Sequence, residues 1–163
     1  MQKKAIFLDR DGVLIRNSEH YYIWKKEQIQ FVEGVFENLR LLIHNGFQLF
    51  IVSNQGGISK GLYSKNDILI LHEQMIETFR NNQIEIQEIA FCPHHPENER
   101  CICRKPESLM IDKLVAKYKL NKENSYLIGD SNSDMEAAQK AGIPGIKIVA
   151  NQNMYPFISF LIK

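Results

Sequence analysis

Apolar positions along this chain follow two alternating patterns. Short runs read as strands: Ala5-Ile-Phe-Leu8, Phe47 to Val52 broken only by Gln48, Ile84 to Phe91, Tyr126-Leu-Ile, and Ile146-Lys-Ile-Val-Ala150. Between them, apolar residues recur at helical spacing. Val35, Phe36, Leu39, Leu42 and Ile43 form one stripe, closed by Gly46 as a C′ glycine. Ile68, Leu71, Met75, Ile76 and Phe79 form a second, opened by Ser64 with Asp67 in a capping-box pattern and closed at Asn81-Asn82. Met110, Leu114, Val115 and Tyr118 form a third after Pro106, and Ser133 with Glu136 predicts the cap of a fourth helix. The last dozen residues, with Tyr155, Phe157, Phe160 and Leu161, are expected to pack back on the core. Strands separated by helices imply right-handed βαβ crossovers, hence an α/β fold with a central parallel sheet. Residues 14–33 keep no period and are long for a βα connection, which marks them as a functional loop.

In such a sheet all C-terminal strand ends lie along one side, where ligands bind. Polar residues stand at these ends: Asp9 and Asp11 after the first run, Ser53 and Asn54 after the second, Asp130 and Asp134 after the fourth. Taken alone, Asp9-Arg-Asp11-Gly is as readily a polar turn as a site for a hard cation such as Mg²⁺. Acids arriving at one edge from distant parts of the chain favour the site. His72 falls on the apolar stripe of its helix, so a hydrogen-bonded core histidine is expected there.

A chain of 163 residues fits one domain, 1–163, and the 44% hydrophobic and 24% charged composition is ordinary. A net charge of +1 gives no support for nucleic acid or a membrane surface as partner. No apolar run approaches the roughly 20 residues that span a bilayer, and no signal-peptide pattern opens the chain, so a cytoplasmic protein is expected. Cys92, Cys101 and Cys103 are an odd number crowded into twelve positions, which argues for metal or redox chemistry over disulfides. With His94 or His95 they supply three thiolates and an imidazole, the donor set of a closed structural Zn²⁺ site. Three free thiols in a loop are the plainer alternative.

Asp9-x-Asp11-Gly-Val, Ser53-Asn54, Lys105-Pro106 and Gly129-Asp130-x-x-x-Asp134 together resemble the four motifs of the haloacid dehalogenase superfamily of phosphohydrolases, over nearly the whole chain. Within it, Asp9-Arg-Asp-Gly, Asn54-Gln-Gly-Gly-Ile-Ser-Lys-Gly61, Cys92-Pro-His-His-Pro96 and Cys101-x-Cys-Arg-Lys-Pro106 are most similar to the D-glycero-D-manno-heptose 1,7-bisphosphate phosphatases, with histidinol-phosphate phosphatases close by. The resemblance implies a Rossmann-like three-layer αβα fold with no separate cap domain and a zinc-stabilised loop. It implies Asp9 as nucleophile and Asp11 as general acid and base. Mg²⁺ would be held by Asp9, Asp130 and the backbone carbonyl of Asp11, with Asp134 orienting from behind. Ser53 and Lys105 would serve the transferring phosphoryl group. Asn54, Gln55, Lys60 and Arg104 are candidates for substrate contact, with Arg16, Tyr21 and Tyr22 nearby. The Cys-x-His pattern favours His94 over His95 as zinc ligand. A phosphorylated sugar is the implied substrate, heptose bisphosphate losing its 7-phosphate, with histidinol phosphate the nearest alternative. A nucleic-acid 3′-phosphatase or an inactive zinc-stabilised scaffold are more distant ones. A monomer is expected. Ser131 stands where the heptose bisphosphate phosphatases often carry a basic residue after the motif-four acid.

Overall fold

The computed structural model describes residues 3–162. Five strands, β1 (Lys4–Leu8), β2 (Phe47–Asn54), β3 (Ile86–Cys92), β4 (Tyr126–Gly129) and β5 (Gly145–Lys147), form one parallel sheet in the order β3-β2-β1-β4-β5. Helices α1 (Val35–His44), α2 (Lys65–Asn81), α3 (Leu109–Tyr118), α4 (Asn132–Ala141) and the short α5 (Tyr155–Ile158) cover it. The continuous apolar strand runs are explained by burial on both faces. In β1, Ile6 and Leu8 enter a core with Leu39 and Leu42 of α1, Leu71, Met75 and Phe79 of α2, and Ile158 of α5. Ala5 and Phe7 enter the opposite core, with Met110 and Leu114 of α3 and Ala137, Ala138 and Ala141 of α4. The two-residue period of a strand thus sorts each run between two layers of helix.

Strand order reverses at β1: β2 and β3 lie on one side, β4 and β5 on the other. Register brings the ends level, with Leu8 opposite Ile51 and Ile128. The chain ends that leave β1, β2 and β4 therefore surround one crevice at the switch point.

Some local expectations shift. The helix after β4 is capped by Ser131 with Asp134, not by Ser133 with Glu136. The two Ser-x-x-acid patterns overlap by two residues, and only Ser131 has the extended backbone that an N-cap requires (φ −110°, ψ 160°). β2 runs on through Ser53 and Asn54, whereas β5 stops at Lys147. At the C-terminal end Met154 and Ile158 are buried, but Tyr155 and Phe160 are exposed. Residues 14–33 form a strap: Val32 N donates to Leu14 O and Arg16 N to Gln30 O, while Leu14, Ile15 and Ile23 are buried. No helix among the described residues is long and apolar enough to cross a membrane.

Candidate active site

The crevice, about 250 Å³, is lined by Asp9, Arg10, Asp11, Asn54, Gln55, Arg104, Lys105, Asp130 and Ser131, with Tyr21, Tyr22 and His95 among the outer residues. Asp9 leaves β1 with its amide donating to Ile128 O at 3.0 Å, which ties it to β4. Carboxylate oxygens of Asp9, Asp130 and Asp134 lie within 4.8 Å of one another. Gly12, at φ +86°, lets the chain turn there, and a Cβ at that position would collide with the Asp130 carboxylate.

Lys105 reaches this cluster from the far side. Its Nζ donates to Asp134 Oδ1 at 2.6 Å, Asp9 Oδ1 at 2.8 Å and Val52 O at 2.9 Å, so all three of its protons are engaged. Burial opposes the lysine's charge, but Asp9 and Asp134 together outweigh it and raise its pKa. Burial is also the main force on Asp9, only partly opposed by Lys105, and pushes its pKa up to about 7; burial and then Asp134 raise that of Asp130. A buried group of three acids and one lysine is under-neutralised, and hard oxygen donors in that state fit a divalent cation. Both oxygens of Asp134 are already taken, one by Lys105 and one by the Ser131 amide and hydroxyl, so it suits an orienting role. The side chain of Asp11 lies apart from this cluster. Replacing Lys105 by Met leaves Asp134 buried and unpaired and is expected to cost about 3–5 kcal/mol of stability in urea unfolding; a loss under about 1 kcal/mol would contradict the ion pairs.

Asn54, at the end of β2, clasps the backbone of residue 105: its Nδ2 donates to Lys105 O and its Oδ1 accepts from Lys105 N, each at 3.0 Å. It orders the lysine's loop while still facing the crevice. Ser53 is buried, its Oγ accepting from Gln55 Nε2 at 2.8 Å, and it does not line the crevice wall. Gln55 also donates to Asp11 Oδ2 and accepts from the Tyr63 hydroxyl. Tyr63 stacks on Trp24 and meets Tyr22 edge-on, which fastens the strap 14–33 to the loop after β2. Lys60 pairs with Glu97 at 3.1 Å away from the crevice wall, and Arg16 is exposed outside it.

β3 delivers Cys92 beside Asn54, with which it is in register. Cys92, His94, Cys101 and Cys103 bring Sγ and Nδ1 atoms within 4.8 Å, including 3.0 Å between Cys92 and Cys103 and 3.2 Å between His94 and Cys103. A zinc tetrahedron with bonds of about 2.3 Å has edges of roughly 3.8 Å, so this cluster sits slightly inside that size and has the matching donors. His95 instead turns to the crevice beside Gly56 and Arg104, where a Cβ on Gly56 would lie 2.8 Å from its ring.

Arg10 carries no motif signal in the sequence. Alternation carried two residues past Leu8 puts it on the α2 side of the sheet, and it is wholly buried there, contacting His72. Burial, then the Arg10 charge, lowers the His72 pKa from 6.5 to about 3. The unfolded chain therefore takes up a proton below about pH 6.5 that the folded one refuses until about pH 3, and stability falls through that window by at most about 1.4 kcal/mol per pH unit. His72→Gln, which keeps an acceptor, is expected to flatten this part of the acid dependence; parallel unfolding curves for the two proteins between about pH 7 and about pH 4 would rule it out.

A family model described as HAD-hydrolase-like matches residues 102–151. The chain is 40% identical over 152 residues to D-glycero-alpha-D-manno-heptose-1,7-bisphosphate 7-phosphatase of Campylobacter jejuni, covering 93% of this chain and 85% of that protein. It is 39% identical over 155 residues to the corresponding beta enzyme of Vibrio cholerae, covering 91% and 82%. Identity to the histidine biosynthesis bifunctional protein HisB of C. jejuni subsp. doylei is 37% over 148 residues, 90% of this chain but 42% of that protein. Among solved structures, the D,D-heptose 1.7-bisphosphate phosphatase from B. bronchiseptica, complexed with magnesium and phosphate, superposes with a TM-score of 0.83 at 25% identity, covering 96% of this chain and 86% of that one. This chain belongs to the haloacid dehalogenase-like hydrolases, as a phosphatase related to the heptose bisphosphate enzymes.

Proposed function

We propose that this protein is a single-domain, cytoplasmic Mg²⁺-dependent phosphatase that removes the 7-phosphate of D-glycero-D-manno-heptose 1,7-bisphosphate through an aspartyl-phosphate on Asp9. The observation that carries the reaction is Asp9 held by Lys105 at 2.8 Å beside Asp130 and Asp134 at the sheet's switch point. The substrate rests on relatives named for that sugar that match most of this chain and most of their own length.

Asp9, Asp130 and the Asp11 carbonyl would hold Mg²⁺, with Asp134 orienting; the ion supplies positive charge that keeps Asp9 ionised and eases approach of the anionic phosphoryl group. Asp9 attacks phosphorus in line, and Lys105, with the Ser53 hydroxyl if it turns from Gln55, meets charge developing on the equatorial oxygens. Asp11 gives a proton to the leaving sugar oxygen, then takes one from the water that cleaves the acyl phosphate. Asn54 fixes the Lys105 loop, while Arg104 and Gln55 face the remainder of the substrate; Lys60, paired with Glu97 outside the crevice wall, would reach it only by leaving that pair. Cys92, His94, Cys101 and Cys103 would hold Zn²⁺, which would stiffen the loop that ends in Arg104 and Lys105.

The test is a comparison of kcat/KM for the α and β heptose bisphosphates and histidinol phosphate. A preference of at least about tenfold for one heptose anomer over histidinol phosphate supports the reading. Histidinol phosphate as the best substrate would replace it.

A further inference from the structure

Arg10 is the largest fully buried side chain among the described residues. Its guanidinium is spent on three separate elements. Nε lies 3.2 and 3.1 Å from the two oxygens of Asp11, and Nη2 is 3.0 Å from Asp11 Oδ1. Nη2 also donates to Ile23 O at 2.7 Å, in the strap 14–33. Nη1 lies 3.2 Å from Nε2 of His72 on α2. An arginine has no acceptor, so His72 Nε2 must accept and the ring is neutral, with its proton on Nδ1. Gln55 completes the hold by donating to Asp11 Oδ2 at 3.2 Å, and is itself fixed by Tyr63 at 2.8 Å. Asp11 keeps 20% of its side-chain surface open, toward the crevice.

We propose that Arg10 is a positioning residue for proton transfer: its buried fork locks the Asp11 carboxyl and, through the Ile23 carbonyl, the substrate-facing strap into one rigid unit. The proposal rests on the reading of Asp11 as general acid and base. A flexible carboxylate at a strand end samples many directions, and a misplacement of about 1 Å costs on the order of 10²-fold in rate. The three partners lie in three directions around a planar group. A lysine at the same position keeps the charge but cannot satisfy that geometry.

The experiment exploits leaving groups. Formation of the aspartyl-phosphate needs a proton when the departing group is a sugar alkoxide and scarcely any when it is p-nitrophenolate. With kcat/KM reporting that step, Asp11→Asn is expected to lose about 10²–10⁴-fold on a sugar phosphate and far less on p-nitrophenyl phosphate. Arg10→Lys and Arg10→Gln are expected to lose about 10²-fold on the sugar phosphate and under about tenfold on the aryl ester. Equal losses on both esters, or none, would overturn the role of Arg10 while leaving Asp11 intact. An Asp11→Asn protein that shows no such asymmetry would overturn the acid assignment itself, and the proposal with it. Should the Arg10 variants fail to fold, the parent protein still decides: its Arg10 Nε–H should exchange slowly in ¹⁵N-arginine spectra and lose that protection in Asp11→Asn. A rapidly exchanging Arg10 Nε–H in the parent overturns the proposal.

Discussion

An Asp9→Asn protein is expected to fold as the parent does and to turn over phosphate esters at least about 10⁴-fold more slowly. The amide has the size of the carboxylate but no charge with which to attack phosphorus. Stability should hold or rise, because burial and the neighbouring acids already penalise the ionised form of Asp9, and Lys105 keeps Asp134 as its partner. Initial rates and urea unfolding together make the check. A variant within about tenfold of parent activity would mean that another group attacks the phosphorus.

Losing the Cys-His cluster is expected to cost both stability and activity. The parent should carry about one zinc per chain, and Cys101→Ser, or stripping with a chelator, should lower unfolding free energy by about 3 kcal/mol or more. Activity should fall at least about tenfold as well. The cause is covalent continuity: Cys103 is followed directly by Arg104 and Lys105, whose backbone Asn54 grips at 3.0 Å and whose ammonium meets Asp9. Arg104 Nη1 donating to His94 O at 3.0 Å ties the loop back on itself. Elemental analysis with unfolding and rates on one preparation checks this, and a zinc-free protein with unchanged stability and rate would contradict it.

What could be read from the chain alone were features that repeat locally. Apolar runs buried on both faces mark the strands, and strands alternating with helices imply a parallel sheet, which places Asp9, Asn54 and Asp130 at one edge. The crowding of three cysteines with two histidines groups these donors in the sequence, and the structure draws Cys92, His94, Cys101 and Cys103 within 4.8 Å of one another. The contacts that organise those residues are another matter. Lys105 meets Asp9 across 96 residues and Asn54 across 51, and nothing periodic announces either pairing. Arg10 stands between two acids in the sequence, and only strand alternation continued past Leu8 turns it inward. The cap at Ser131 lost to Ser133 because two equivalent patterns overlap and backbone angle decides between them. Tyr63 sealing the strap against the loop after β2 depends on ring positions that spacing does not encode.

The central claim is a phosphoryl group carried by Asp9, and it can be caught. Parent enzyme mixed with substrate and Mg²⁺, quenched on the millisecond scale and reduced with borohydride, should yield homoserine at position 9 in the mass spectrum of the peptide that contains it. The conversion should need both substrate and Mg²⁺ and be absent from Asp9→Asn. Reduction at a different carboxylate, or turnover without any reducible acyl phosphate, would contradict the account.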